Sequence, residues 1–336
     1  MRYSLLSRFR GAFLGTVFGE ILGAYGDSWQ LGTIQQSQQP SSTGRLVVRG
    51  TEGLIRSGRL DLADWCESPE STNQKVSEKR QENLTKETNF LGVATPTYPG
   101  IKRTAGDIRA IISTVPVALF FHEDEVKLRQ NLQQVADVWQ DDSVLKDGTL
   151  AIGYAIAQSL KEKLNPDTLI TETINYLDVE TSLVQQLRQV EVLLTQGAGL
   201  ETTLKTLIPR SVTAPIHTPV ALAFYCFLST IEDLQISVMR AARCPQAQVT
   251  SAIVGALSGA FNSIAGVPVA WRLALGKQPV DNSPLTKLWG LNSEAELLRL
   301  AARLLAAWSG VYNADKFLID PTQVPAIAAP KVIKPR

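Results

Sequence analysis

Candidate catalytic and zinc-binding side chains are sparse in this sequence. The chain has two histidines, His122 and His217, and three widely separated cysteines, Cys66, Cys226 and Cys244. Zinc sites are built from closely spaced Cys and His ligands, so this pattern predicts no zinc site. The odd number and wide spacing of the cysteines also predict no disulfide framework, and a reducing cytoplasm is the simplest location.

Each histidine has a structural alternative to catalysis. His217 lies between two prolines, where it could act as a general base but is more typical of a loop residue. His122 follows a predicted helix and precedes Glu123 and Asp124. A cationic ring at that position would stabilise the carboxyl end of the helix.

One pair of adjacent carboxylates could hold a hard cation. Asp141 and Asp142 precede Ser143 and supply the charged oxygen atoms that Mg²⁺ prefers. The alternative is a solvated acidic turn between two helices, and we favour that alternative.

Two stripes of small residues call for an unusually close neighbour. The first consists of glycines four residues apart, namely Gly11, Gly15, Gly19 and Gly23. The second lies in 247–272 and consists of Ala252, Gly255, Ala256, Gly259 and Ala260. Because glycine costs about 1 kcal/mol relative to alanine in a helix, the first stripe predicts close backbone approach to another helix or a ligand. We favour helix packing.

Helical periodicity dominates the sequence. Apolar residues recur at three- and four-residue spacing through the first 22 residues. Further helices are predicted over 45–57, 106–122, 125–139, 147–164, 167–177, 182–196, 199–208, 218–229, 232–243, 247–265 and 294–309. Ser293 and Glu296 form a capping box for the last of them. No segment alternates with a period of two between turn signals, so the fold class is predicted to be all-α.

Two segments differ in composition from the helical pattern. Residues 67–104 are polar and charged, then rich in Pro and Gly, which predicts a flexible loop insertion within one helical domain spanning 1–317. Residues 318–336 contain four prolines and predict an extended or disordered tail.

Overall charge and hydropathy exclude two classes of partner. The formal net charge is +1, so no basic excess indicates nucleic-acid binding. The stretch 244–271 carries no charged side chain, but Gln, Asn and Pro lie within it. We interpret it as a buried helix followed by a loop, and we predict no membrane span.

Four segments, taken in order, resemble the ADP-ribosylglycohydrolase family. The opening RFRGAFLGTVFGEILGAYGD is similar to the N-terminal glycine-rich helix of that family, and 247–272 is similar to its late helix. TVPVALFF at 114–121 and PVALAFYCFLST at 219–230 are similar to family segments between them. The similarity keeps the family's order over roughly 1–275.

The resemblance implies an all-α domain with a cleft that holds two magnesium ions. Members of this family hydrolyse the bond between ADP-ribose and a modified group. Their metals are held by an early Thr-Asp-Asp-Thr motif and a late Asp-x-Asp-Thr motif. Carboxylates supply the charged oxygen ligands, and two such ions can orient ribose hydroxyls and activate water.

This sequence departs from the family at the metal motifs. The late motif falls on Gln246, Ala247, Gln248 and Val249, and the preceding Gly-Gly falls on Cys244 and Pro245. The early motif falls near Pro40, Ser41, Ser42 and Thr43. Glu20 stands where the family has an Asp in the first helix, which retains the charge. Each lost carboxylate removes an attraction of roughly 4 kcal/mol at a dielectric constant of about 20, so no two-metal centre is expected.

Three further positions are candidates for lining the cleft. Tyr98 and Gly100 resemble a family loop near the ligand, with a plain turn as the alternative. Gly106, followed by Asp107, lies where the family has a Gly-Asn-Gly segment that approaches the ligand.

The resemblance and the departures together favour a non-catalytic family member that retains a cleft for an ADP-ribose-like ligand or acts through a protein partner. One alternative is an active hydrolase with altered magnesium use. Its candidate residues are Glu20, Asp27, Asp107, Asp141 and Asp142. The other alternative is an interaction protein without a pocket.

Overall fold

The computed structural model describes residues 3–31, 43–65, 110–138, 143–208 and 217–311. These ranges contain helices and no strand, which confirms the all-α prediction. The first helices are α1 (Leu5–Tyr25), α2 (Thr43–Ser57), α3 (Ala110–Ser113), α4 (Val115–Phe120), α5 (Glu125–Val138), α6 (Ser143–Leu160), α7 (Leu169–Leu177) and α8 (Ser182–Thr195). The others are α9 (Leu200–Leu207), α10 (Thr218–Ser229), α11 (Leu234–Ala241), α12 (Ala247–Asn262), α13 (Val269–Lys277), α14 (Pro284–Trp289) and α15 (Glu294–Trp308).

The two small-residue stripes pack against each other and form the centre of the bundle. α1 and α12 run antiparallel, with Gly15 facing Gly255 and Gly11 facing Gly259. A Cβ atom on any of these four glycines would overlap a backbone carbonyl of the opposite helix. The glycine stripe therefore serves helix packing, because only glycine permits backbones to come this close.

Contacts at one end of the α1–α12 pair show how α6 and α10 are oriented relative to α12. The Arg8 guanidinium donates to the carbonyls of Ser159 in the last turn of α6 (2.9 Å) and Ala260 near the end of α12 (3.2 Å). The rings of Phe227 in α10 and Phe261 in α12 lie 6.0 Å apart. The carboxyl ends of α6, α10 and α12 thus lie together, and their amino ends point to the other end of the bundle, where α1 finishes.

The predicted helix over 106–122 is interrupted. α3 ends at Ser113 and α4 begins at Val115, with Thr114 in a turn between them. Pro116 lies in the first turn of α4. Because proline has no N–H and fits the first turn of a helix better than its interior, the chain restarts here.

The predicted helix over 247–265 is shorter than expected, and two later helices were missed. α12 ends at Asn262 because Ser263 takes a φ of 62°. α13 has a weak apolar pattern, since Val269 and Leu273 are exposed while Trp271 and Leu275 are buried. α14 is a short helix of 6 residues.

The predicted capping box is present at the start of α15. The Ser293 hydroxyl accepts from the backbone N–H of Glu296 at 3.2 Å. The Glu296 carboxylate reaches back to the N–H of Asn292 at 2.8 Å, one residue before the cap. Both halves of the motif therefore satisfy backbone donors at the helix start.

His122 does not carry the charge that its sequence context suggested. The side chain is buried, and its Nδ1 lies 2.7 Å from the carbonyl oxygen of Leu119. Burial disfavours the charged imidazolium and lowers the pKa of His122 to about 4. The ring packs between Phe9 and Trp308 as a neutral group.

The uncharged stretch 244–271 contains α12, which is buried along most of its length. Within the described ranges, no helix has the length and apolar character needed to cross a membrane. The loop predicted over 67–104 and the tail predicted over 318–336 lie outside the described residues.

Candidate functional site

A fully buried carboxylate marks the other end of the α1–α12 pair. Glu20, near the end of α1, has no exposed surface. Its Oε1 accepts a hydrogen bond from the Gln248 amide at 3.0 Å, and its Oε2 accepts one from the Trp289 indole N–H at 2.8 Å. A buried carboxylate needs such donors, because removing an unpaired charge from water costs several kcal/mol. We call these three residues the Glu20 cluster.

Three elements position the Glu20 cluster. α12 begins at Ala247, so Gln248 lies in its first turn beside Glu20 of the antiparallel α1. Trp289 is the last residue of α14, and its indole packs against the backbone of Gly44 in α2. A Cβ on Gly44 would lie 2.5 Å from the Trp289 ring, so glycine is required for this close contact.

Of the residues singled out in the sequence, the structure brings Glu20 and Gln248 together. Val249 is buried in the same turn of α12, and Gln246 precedes that helix with a φ of 52°. Thr43 is buried at the start of α2. Asp27 lies in the short 3-10 helix Gly26–Leu31 that follows α1. The other candidates lie outside the described residues: Pro40, Ser41, Ser42, Tyr98, Gly100, Gly106, Asp107, Asp141 and Asp142.

Trp289 is the member of the cluster that sequence reasoning missed. It lies 269 residues from Glu20 in the chain, on a short helix that the apolar pattern did not reveal. The available signal was a tryptophan followed by glycine, which is compatible with many buried positions. Its role as a hydrogen-bond donor depends on a contact that only the folded chain makes.

The donors around Glu20 have the wrong chemistry for magnesium ligands. Mg²⁺ prefers oxygen atoms with free lone pairs in octahedral geometry. The Trp289 indole offers an N–H donor, and Gln248 turns its amide nitrogen toward the carboxylate. Across the described ranges, no group of three or more His, Cys, Asp or Glu side chains is arranged to hold a metal ion. The Glu20 cluster does not fit a magnesium ion.

Comparisons with known proteins agree with the resemblance seen in the sequence. The family model described as ADP-ribosylglycohydrolase matches residues 1–314. The chain belongs to the ADP-ribosylglycohydrolase family. A solved structure titled "ADP-ribosylglycohydrolase-related protein complex" shares the fold, with a TM-score of 0.56 and 14% identity over 89% of this chain and 97% of that chain. No curated protein matches the chain.

The charge of Glu20 acts on its surroundings in this family member. Burial raises the pKa of Tyr25, and the nearby negative charge of Glu20 raises it further. The Tyr25 phenol therefore stays protonated and can act as a donor at this end of the bundle.

The starts of α10 and α12 share one feature of their caps. Neither His217 at the start of α10 nor Gln246 at the start of α12 uses its side chain to cap the helix. In α10 Pro219 has no N–H and the Val220 N–H donates to the His217 carbonyl at 2.9 Å, and in α12 the Val249 N–H donates to the Gln246 carbonyl at 3.0 Å. Helix amino ends carry partial positive charge and favour bound anions.

A second polar group joins the amino ends of α8 and α10. The Ser182 hydroxyl lies 3.3 Å from Nδ1 of His217, and the Gln186 amide donates to the Thr218 hydroxyl at 3.1 Å. Burial lowers the pKa of His217. Asp147 of α6 is also buried, which raises its pKa. A neutral His217 is consistent with a structural role at the helix start.

Proposed function

We propose that this family member does not hydrolyse ADP-ribose bonds at a two-magnesium centre and instead binds an ADP-ribose-like anion without metal. The observation that supports the proposal is the pairing of Glu20 with the N–H donors of Gln248 and Trp289. Where the family places metal-binding carboxylates, the late motif of this chain supplies an amide.

The energetics of the Glu20 cluster oppose metal entry. Hydrogen bonds to a charged acceptor contribute roughly 1.5–3 kcal/mol each, and a magnesium ion would have to displace both. Gln246 and Gln248 offer no formal charge to offset the dehydration of the cation. Glu20 then serves as an internal anchor between α1, α12 and α14.

The ligand class follows from the direction of the helices. The amino ends of α6, α10 and α12 point to the end of the bundle that holds Glu20, and such ends favour phosphate groups. ADP-ribose carries a diphosphate, which is an anion of the class that helix amino ends favour. Tyr98, Gly100 and Gly106 remain candidates for lining the cleft, and Asp107 remains a candidate acid. A cytoplasmic location belongs to the same proposal.

Calorimetric titration with ADP-ribose tests the proposal, with one set in magnesium and a matched set in EDTA. We expect the same binding heat in both, together with no release of ADP-ribose from an ADP-ribosylated peptide. Turnover that requires magnesium and stops in EDTA would show an active hydrolase. Absence of heat in both sets would show that the protein acts through partner contacts without this cleft. Either result contradicts the proposal.

A further inference from the structure

A surface cavity of about 600 Å³ lies at the carboxyl ends of α8 and α10. Its walls come from the chain that enters α7, the last turns of α8, the turn that follows α8, the end of α10, and one residue of α11. A volume of this size is typical of sites that bind small molecules. The amino end of α10 points toward the Glu20 cluster, and the 12 residues of α10 span about 18 Å, so the cavity and the cluster are separate features.

Arg240 of α11 supplies a positive charge to the cavity wall, and one tyrosine holds it in place. Its guanidinium carbon lies 5.2 Å from the centroid of the Tyr225 ring, and a guanidinium N–H donates to the Tyr225 hydroxyl at 2.7 Å. That hydroxyl donates to the Ala198 carbonyl at 2.6 Å. Among the residues that the structure describes, no carboxylate forms an ion pair with Arg240. A guanidinium presents several N–H donors in a planar fork, so donors remain for a bound carboxylate.

Two carboxylates supply the opposite charge to the same cavity. Asp167 lies just before α7 and is exposed, whereas Glu191 of α8 is partly buried and its Oε1 accepts from the Thr171 hydroxyl at 2.7 Å. Within the part of the chain that the structure describes, neither carboxylate forms an ion pair with a basic side chain. The carboxyl ends of α8 and α10 add partial negative charge. These groups together favour a bound cation such as an ammonium.

Apolar side chains and open space complete the cavity. Ile170, Leu194 and Leu228 line it, and the latter two are partly exposed. The turn that follows α8 contributes Gly197 and Gly199, and a Cβ atom at either position would meet no atom within 4 Å. The cavity therefore combines apolar walls with one cation and two anions, and the walls can contact the apolar part of a ligand.

We propose that this cavity binds a short zwitterionic peptide with apolar side chains, of the size of a dipeptide. The Arg240 fork receives the peptide carboxylate, Asp167 and Glu191 attract the ammonium, and the side chains contact the apolar walls. A purely anionic ligand would be repelled by the two carboxylates, and a purely cationic one by Arg240. The site is independent of the proposed function, because it lies at the other end of α10 and does not include the Glu20 cluster.

Calorimetric titration of the full chain with leucyl-leucine tests the proposal, together with matched ligands that each lack one feature. N-acetyl-leucyl-leucine lacks the ammonium, leucyl-leucine amide lacks the carboxylate, and glycyl-glycine lacks the apolar side chains. We expect leucyl-leucine to bind and each matched ligand to bind at least about tenfold more weakly. Absence of binding by leucyl-leucine, or equal affinity for any matched ligand, would overturn the proposal.

A competition experiment separates this site from the proposed ADP-ribose site. The leucyl-leucine titration is repeated with ADP-ribose present, and we expect the same affinity for the dipeptide. Competition by ADP-ribose would place both ligands at one site and would overturn the proposal of a second one.

Two variants test the assignment of the cavity residues. Arg240→Gln should weaken binding of leucyl-leucine by about tenfold, and Arg243→Gln, an exposed arginine outside the cavity wall, is its control and should bind as the wild type does. Gly199 has a φ of −74° and open space around it, so Gly199→Leu adds bulk at the cavity wall without strain. It should abolish binding with no change in melting temperature, and it tests the site even if Arg240→Gln fails to fold. Equal affinities of the two arginine variants, or full binding by folded Gly199→Leu, would contradict the assignment.

Discussion

The α1–α12 pair carries a buried charge near each end, and the two ends are satisfied in opposite ways. Arg8 donates to three backbone carbonyls, those of Ser159, Ala260 and Phe261, and to the Glu162 carboxylate. Glu20 accepts from two side-chain N–H donors, Gln248 and Trp289. The sign of each charge matches the end of α12 beside it, because carboxyl ends are partly negative and amino ends are partly positive, although Arg8 and Glu20 lie at the opposite ends of their own helix α1.

This difference indicates which end of the α1–α12 pair a single substitution can alter more. Backbone carbonyls hold Arg8, so substitutions elsewhere leave most of its partners in place. Side chains hold Glu20, so single substitutions can remake that end. The Arg8 end therefore depends mainly on backbone partners, whereas the Glu20 end depends on the Gln248 and Trp289 side chains.

The largest expected effect is at the Arg8 end. Arg8→Met keeps a long apolar side chain but leaves buried carbonyls without their donor, so it should lower the free energy of unfolding by about 3–5 kcal/mol. Urea denaturation measures the change. The exposed Arg299→Met is the control and should change stability by less than about 0.5 kcal/mol. Equal effects of the two substitutions would contradict the role of Arg8 as the donor to these carbonyls.

Acid should lower the stability of the fold through His122, which packs against Phe9 at the Arg8 end of α1. Its folded-state pKa of about 4 lies below the unfolded value of 6.5, so the unfolded chain binds a proton that the folded chain rejects. Stability is present above pH 6.5 and is lost as the pH falls toward 4, by about 3 kcal/mol. The difference between wild type and His122→Phe across pH 7 to 4 measures this loss. A difference that does not vary with pH would contradict the assignment.

A smaller effect is expected at the Glu20 end. Trp289→Phe keeps an aromatic ring but removes the N–H donor, and it should cost about 2 kcal/mol, with part of the loss from reduced volume. In a Glu20→Leu background the acceptor is absent, so the same substitution should cost at least about 1 kcal/mol less. If the two substitutions change the free energy of unfolding by strictly additive amounts, the two side chains do not interact.

The smallest expected effect comes from restoring the family's late carboxylates beside Glu20. Gln246→Asp with Gln248→Asp restores the late carboxylate pair, so magnesium should stabilise the double variant by about 1.4 kcal/mol at ten times its dissociation constant. Wild type should show no change in melting temperature with magnesium. A magnesium-dependent rise in the wild type would contradict the metal-free interpretation of the Glu20 cluster.

Local patterns in the sequence were enough to predict most of the helices and the close packing of α1 against another helix. Glycines four residues apart specify a smooth helix face wherever the helix lies, and the Ser293–Glu296 box specifies a helix start within four residues. The break at Thr114 and the helices α13 and α14 were not predicted. Short helices with few buried residues leave too weak a periodic signal.

The sequence by itself determined the helical class, the small-residue faces, the family resemblance and the absence of acids at Gln246 and Gln248. The tertiary structure alone decided that Glu20 meets Gln248 and Trp289, which lie 228 and 269 residues away in the chain. Helix patterns are set by neighbours a few residues apart, whereas the partner of a buried polar atom is set by how distant helices pack.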